Sequence, residues 1–326
     1  MTQINYVGKG GISAKIIADS IYGEVRLPTL QLRFHRFILP EFNTHRVFSR
    51  NASSSRAIPV KKLLEQVSND PAIPVEFGKN QAGMQSAGPH NASIYHENEE
   101  GRGFHFKGGD NNALSYWKSL AANMHYAVEP LIEAGYHKQV ANRLSEPFQF
   151  INIIVSSTEW ENFFKLRLHP AAQPEIQELA RVMKKALDAS TPKKMTPTEW
   201  HLPYVSKEDE ILIWEYVDKN MLKSPILFED AILLVSAARC ARVSYLNHDK
   251  SDPDIGADIK LAKMLHQMEH LSPFEHQAKP MNDPIFFDTD NDAIKFLETK
   301  GVTHLDADCN FWSGNFKSWI QYRQIM

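Results

Sequence analysis

Cysteine is nearly absent. Cys240 and Cys309 are the two in the chain. Their spacing suits neither a metal cluster nor a disulfide framework, so a reducing, cytoplasmic setting is expected. No apolar run approaches the ~20 residues a membrane span requires. The segment Met1 to Gly10 has no hydrophobic signal core, so Asn91-Ala92-Ser93 is a glycosylation sequon by spelling only. Excess charge is also missing. The formal net charge of −3 excludes bulk attraction to nucleic acid or an anionic membrane, so any anion must be bound locally. What the chain does have is bulk: 326 residues, 43% hydrophobic and 10% aromatic, ample for a buried core in one large domain or two smaller ones.

One stretch stands out for the acid it lacks. Asn43 to Arg56 holds His45, Arg46, Arg50, Arg56, four serines and two asparagines, with no carboxylate. Forked guanidinium donors beside hydroxyls suit an anion, phosphate above all. A solvated basic loop has the same composition. The flanks favour a site, because the run sits between the apolar Leu27–Leu39 segment and Ala57-Ile58-Pro59-Val60, both core-forming.

Periodicity supplies the scaffold. Ile12, Ala14, Ile16 and Ala18, then Leu30, Leu32 and Phe34, alternate with polar residues and predict paired strands joined at Tyr22-Gly23. The basic stretch is expected as a helix or helix-like turn at the sheet edge, with a short helix from Val60 to Gln66. Residues 68–112 read as a long loop or lid; Gly101-Arg102-Gly103 within it is no dinucleotide fingerprint. Leu114, Trp117, Leu120, Met124, Val128 and Leu131 form a helical stripe interrupted by Pro130 and stopped at Gly135. Phe148–Ser156 is a predicted strand, with Ser157 or Thr158 capping the helix that follows. Pro174 opens a helix facing Ile176, Leu179, Val182, Met183 and Leu187 inward. Further helices are expected at Glu208–Tyr216, Phe228–Val243 and Ile255–Glu269, with a polar loop at Asn247–Asp254. The tail reads either as a C-terminal helix docking Trp312, Phe316 and Trp319 or as part of the site.

Several of these blocks resemble the flavin-dependent thymidylate synthases, the ThyX family. Their signature is Arg-His-Arg, seven residues, Ser, and Arg two positions on; here His45-Arg46, Ser54 and Arg56 match, with Thr44 in the first Arg place. Leu131–Pro147 is similar to the family's helix–Gly–helix ending in Leu-Pro. Asn162-Phe-Phe-Lys-Leu-Arg167 and Ala172-Gln173-Pro174-Glu175-Ile176 resemble Asn-Phe-Leu-x-Leu-Arg and Ala-Gln-x-Glu-Ile. Ala237-Ala-Arg-Cys-Ala-Arg-Val-Ser-Tyr245 and His270-Leu-Ser-Pro-Phe-Glu-His276 resemble a pair the family carries near its N-terminus. Here that pair follows the Asn-Phe-x-x-Leu-Arg helix, so the order looks circularly permuted, as in longer phage chains of this kind. His266-Gln-Met-Glu269-His270 also spells an inverted zinc-protease motif, but no third ligand accompanies it, and no metal is expected.

The resemblance implies an α/β fold of the α+β type: a mixed sheet flanked by helices, with a core at 1–190 completed by 191–326. It implies reductive methylation of dUMP to dTMP with FAD, NADPH as reductant and methylenetetrahydrofolate as carbon donor, in a homotetramer with shared sites, in the host cytoplasm if phage-encoded. Arg167 and Ser54 stand nearest the chemistry. Ser54, Ser55, Arg56, Arg143 and Arg167, with Gln321 and Arg323 standing in for the missing Arg, would bind the nucleotide. His45, Arg46, Asn51, Asn162 and His276 would hold FAD. Ser54 has no neighbouring base except His45, so phosphate or ribose binding is expected of it, not covalent attack. Both cysteines are expected to be buried and outside the site. Departures at Thr44, Ala52, Ala57, Ser156, Thr158 and Ala171 leave open a related one-carbon transfer to another pyrimidine nucleotide, such as hydroxymethylation, or a non-catalytic nucleotide binder.

Overall fold

The computed structural model describes residues 4–94, 112–222, 225–243, 254–281 and 298–326. Gly101–Gly103, Ser244-Tyr245 and residues 247–253 of the expected polar loop lie outside them.

Alternation builds the main sheet. Strands β1 (Asn5–Val7), β2 (Ser13–Tyr22), β3 (Val25–His35), β4 (Ser49–Ala52) and β5 (Phe150–Ser156) pair antiparallel in the order β1-β2-β3-β5-β4, and β6 (Lys193–Lys194) runs parallel to β2. The β2–β3 hairpin turns at Gly23, whose φ of +56° is in the left-handed region glycine tolerates. Of the basic stretch, Ser49–Ala52 is the edge strand β4, while Asn43 ends a helix and residues 44–48 form the turn expected at the sheet edge. Only α1 (Leu39–Asn43) precedes it as a helical turn, and β4 pairs Ser49 with Ser156 through to Ala52 with Ile153. Its Ser-Arg-Asn-Ala sequence has no apolar alternation. Pairing with the strongly β-forming β5 decides its conformation.

Helices α2 (Val60–Asn69), α3 (Ala113–Ala122), α4 (Met124–Glu133) and α5 (Lys138–Ala141) pack beyond the β4 edge. The single stripe expected from Leu114 to Leu131 is two helices. They break at Asn123, whose amide bonds back to the Ser119 carbonyl at 2.9 Å. Helix α6 (Glu161–Arg167) follows β5 uncapped: Ser157 instead accepts Glu159 N, and Thr158 accepts Lys317 N, so neither fills the expected cap. Helix α7 (Pro174–Ala189) buries Ile176, Leu179, Val182, Met183 and Leu187, as its spacing predicts.

Both faces of the sheet are covered, and side-chain alternation sorts them. Leu30, Leu32, Phe34, Ile151, Ile153 and Val155 meet α7 in one core, each contributing about 1.5–3 kcal/mol by burial. The residues between them face the other way. There Thr29, Gln31, Ile154 and Ser156 meet the chain's last third: α8 (Lys207–Asn220), α9 (Phe228–Arg242) and α10 (Ile255–Gln267) with the segments around them. Helix α10 ends before Glu269, whose φ is +58°, so His266 and His270 do not share the helical face the zinc motif requires. Strands β7 (Ala278–Pro280), β8 (His304–Leu305), β9 (Phe311–Ser313), β10 (Phe316–Lys317) and β11 (Trp319–Gln321) finish the chain, so the tail is hairpins, not a helix.

An ion cluster locks this second layer. Arg239 on α9 pairs with Asp209 of α8 at 2.7 Å and Asp258 of α10 at 3.1 Å, and Asp258 also holds Arg242 at 2.7 Å. Asp258→Ala strips one partner from half-buried Arg239. Urea unfolding is expected to show a loss of about 1–3 kcal/mol, less than a fully buried pair would cost because Asp209 remains.

Candidate active site

The turn from α1 into β4 brings the signature to α6. His45, 6% exposed, stacks on Phe48 and takes the edge of Phe163 at 4.9 Å between ring centres. Arg167 Nε donates to His45 Nε2 at 2.9 Å, so that nitrogen carries a lone pair and the ring is neutral. Burial, then the charges of Arg167 and Arg50, lowers the His45 pKa to about 4. Arg167 further contacts the Glu41 carboxylate at 3.3 Å and Thr44 Oγ1 at 3.1 Å. Thr44, in the family's first Arg place, is thus an acceptor for Arg167. Arg50 donates to the Phe42 and His45 carbonyls and braces the turn from beneath.

A cavity of about 420 Å³ opens beside this network. His45, Arg46, Asn162 and Phe163 line one wall, and the tail supplies the other with Asp306, Asp308, Trp312 and Lys317. Lys317 is tied to Glu159 at 2.7 Å. Asp306 anchors its turn by accepting from Asn310 N, Asp308 N and Trp312 Nε1. The backbone bond from Asn310, with the Trp312 bond second, lowers its pKa to about 2. Of this wall the sequence marks only Trp312; Asp306, Asp308 and Lys317 carry no motif.

The second half of the signature lies at the far end of β4. Ser55 is buried, Ser54 half-buried and Arg56 exposed. Ser55 Oγ, Arg143 and Arg36 converge on one oxygen of Glu146 at 3.4, 2.7 and 3.1 Å. Asn142 fastens this turn by donating to the Ser55 and Ile58 carbonyls. These donors could take a phosphate, but a carboxylate of the chain occupies them. Four strand residues separate the two clusters, on the order of 13 Å at ~3.3 Å per residue. His45 therefore cannot serve Ser54 as a base within one chain.

His276 sits in a third place, beneath the sheet. It is fully buried, and its Nδ1 bonds Ser156 Oγ at 2.9 Å. Asn51 reaches the same layer, donating to the Cys240 carbonyl at 2.8 Å and accepting from Ser272 at 3.2 Å. Gln321 is buried, donating to Ser49 Oγ and the Glu275 carbonyl, and Arg323 pairs with Glu275. Gln321 braces Ser49 at the start of β4, and neither residue lines the cavity. Cys240 is buried, with its pKa raised by burial, whereas Cys309 is exposed in a tail turn, contrary to expectation. A single chain thus unites His45, Arg46, Asn162 and Arg167, and leaves Arg56 and His276 elsewhere.

A family model described as thymidylate synthase complementing protein matches residues 24–193, just over half of the chain. The chain belongs to the thymidylate synthase complementing protein family. The match runs from β3 to β6, a span that contains His45, Ser54, Arg56, Asn162 and Arg167. No curated protein matches the chain. Membership makes this a thymidylate-synthase-type protein of nucleotide biosynthesis. The family is flavin-dependent in general, with a nucleotide substrate and folate. Among the described residues no helix is long and apolar enough to cross a membrane.

Proposed function

We propose that this chain is an FAD-dependent thymidylate synthase, converting dUMP to dTMP with methylenetetrahydrofolate as carbon donor and NADPH as reductant. The observation that carries the reading is the Arg167–His45 hydrogen bond, with His45 lining the cavity, inside the family-matched region. The residues present fit a flavin. His45, Arg46 and Asn162 offer donors and acceptors beside Phe163 and Trp312. FAD held there supplies the hydride chemistry, which protein side chains cannot.

The chain's own work is to grip and polarise. Arg167 holds a fixed positive charge behind His45, which lines the cavity, and suits negative charge developing on a uracil ring. Ser54, Ser55, Arg56 and Arg143 suit the nucleotide's phosphate, for which Glu146 would have to yield. That these residues stand at the opposite end of β4 supports sites completed by a second copy in a homotetramer. Tyr126, Tyr136, Val140 and Leu144, exposed around α4 and α5 next to Arg143, offer apolar surface for it. We also read 1–190 as the core and 191–326 as its completion in permuted order. Contacts from Asn51 to Ser272, Ser156 to His276 and Ser49 to Gln321 join the two parts across the sheet.

The test is an assay of the purified chain with FAD, NADPH, methylenetetrahydrofolate and dUMP, with product identified by mass. Formation of dTMP, dependent on all three co-substrates, is expected. A hydroxymethyl product, or turnover of dCMP instead, would move the reading to a related one-carbon transferase. A protein that stays colourless after added FAD would end the flavin reading.

A further inference from the structure

Helix α8 turns an apolar stripe to solvent. Ile211 is 61% and Trp214 60% exposed. Its inward side carries Asp209 and Ile213, both buried in the second layer. A tryptophan and an isoleucine one turn apart, each more than half in water, mark a contact surface.

The stripe runs into charge at both ends. Lys207, Ile211, Trp214 and Asp218 follow at intervals of four, three and four, and so lie on one line down the exposed side. The two charges stand at the wrong ends for the helix itself. Lys207 is its first residue, at the positive end of the backbone dipole, and Asp218 lies in its last turn, at the negative end. The other charges at the ends have the favourable sign: Glu208, Asp209 and Glu210 in the first turn, and Lys219 in the last. Helix stability therefore does not account for Lys207 and Asp218. Neither has an ion-pair partner among the described residues.

Reversed, the stripe is its own complement. With α8 antiparallel to the same helix of a second copy, and a two-fold axis between Leu212 and Ile213, Ile211 meets the partner's Trp214 and Lys207 meets the partner's Asp218. The axis makes each contact twice. The same arrangement sets each lysine at the negative end of the neighbouring helix and each aspartate at its positive end. Glu208 and Glu215 flank the line on one side and meet at the solvated rim, where screening leaves their repulsion small.

We propose that α8 is an interface at which two copies of this chain associate across a two-fold axis, anchored by Ile211 and Trp214, with Lys207 and Asp218 setting the antiparallel register. The surface lies outside the family-matched region and is not the one around α4 and α5. Two different two-fold interfaces on one chain are what a closed tetramer of two-fold symmetry uses. The inference does not rest on the proposed function.

Sedimentation of the full chain at low salt, over a range of concentrations, tests it. Trp214→Glu places two like charges near the axis and is expected to weaken association roughly thirty-fold or more, halving the mass of the assembly where the native chain is still associated. Lys207→Asp and Asp218→Lys each set like charges together twice, and each should weaken association roughly ten-fold. Both changes suit the dipole of α8, so its helix content, read by circular dichroism, should not fall. The double variant restores both pairs with their signs exchanged, and so does an equimolar mixture of the two single variants; native association is expected from each. A native chain that is monomeric throughout, its stripe covered by another segment or left bare, would overturn the proposal. So would a folded Trp214→Glu protein that associates as the native chain does, or single-variant losses that the double variant leaves unrepaired.

Discussion

Arg167→Ala is expected to lower kcat/KM for dUMP conversion by about 10²–10³-fold while the protein stays folded, the magnitude typical of removing one preorganised charge-stabilising donor. Arg167 is a hub: its guanidinium spans His45, Glu41 and Thr44 at 2.9 to 3.3 Å. Its side chain is 19% exposed, so the loss is one of electrostatics and not of core packing. The variant also removes a charge that holds His45 down. The His45 pKa, about 4 in the native protein, is expected to rise toward its ordinary value. Histidine NMR titration checks that shift without any substrate. Normal turnover in a folded Arg167→Ala protein would remove Arg167 from the chemistry.

Acid is expected to unfold this protein steeply. His35 and His45 are held to about 4, and His201 and His276 to about 3, chiefly by burial. In the unfolded chain each titrates near ~6.5. As pH falls below that value the unfolded state takes up protons that the native state refuses, so the stability these neutral rings provide drains away until pH reaches the native values. Near pH 5 the difference is about three to four protons, or at most about 4–5 kcal/mol per pH unit. Urea midpoints at pH 7, 6 and 5, followed by circular dichroism, measure the slope. A difference under about one proton would mean the rings are hydrated in solution.

Much of the frame was legible. The alternation in Ile12–Ala18 and Leu30–Phe34 and the spacing in α7 and α9 encode burial locally, at intervals of two or of three and four. Signature spacing likewise led to His45, Asn162 and Arg167, and the structure places His45 and Asn162 on one cavity with Arg167 bonded to His45. The strand at Ser49–Ala52 within the basic stretch was not legible, because nothing in those four residues predicts one. Its conformation comes from β5, a hundred residues away in the chain. Gln321 was credited with the site but is a buried brace.

The sequence by itself determined which segments bury an apolar face, which stretch concentrates cations, and which family the blocks resemble. Tertiary structure decided the rest. It set Thr29 opposite Ser156 and brought His201 and His276 to that pair. It closed the cavity with a tail hairpin, and it parted the signature into two clusters along β4. The reason is range: helical and strand periodicity is written in neighbours a few residues apart, whereas strand register and the meeting of buried polar groups depend on partners far away in the chain.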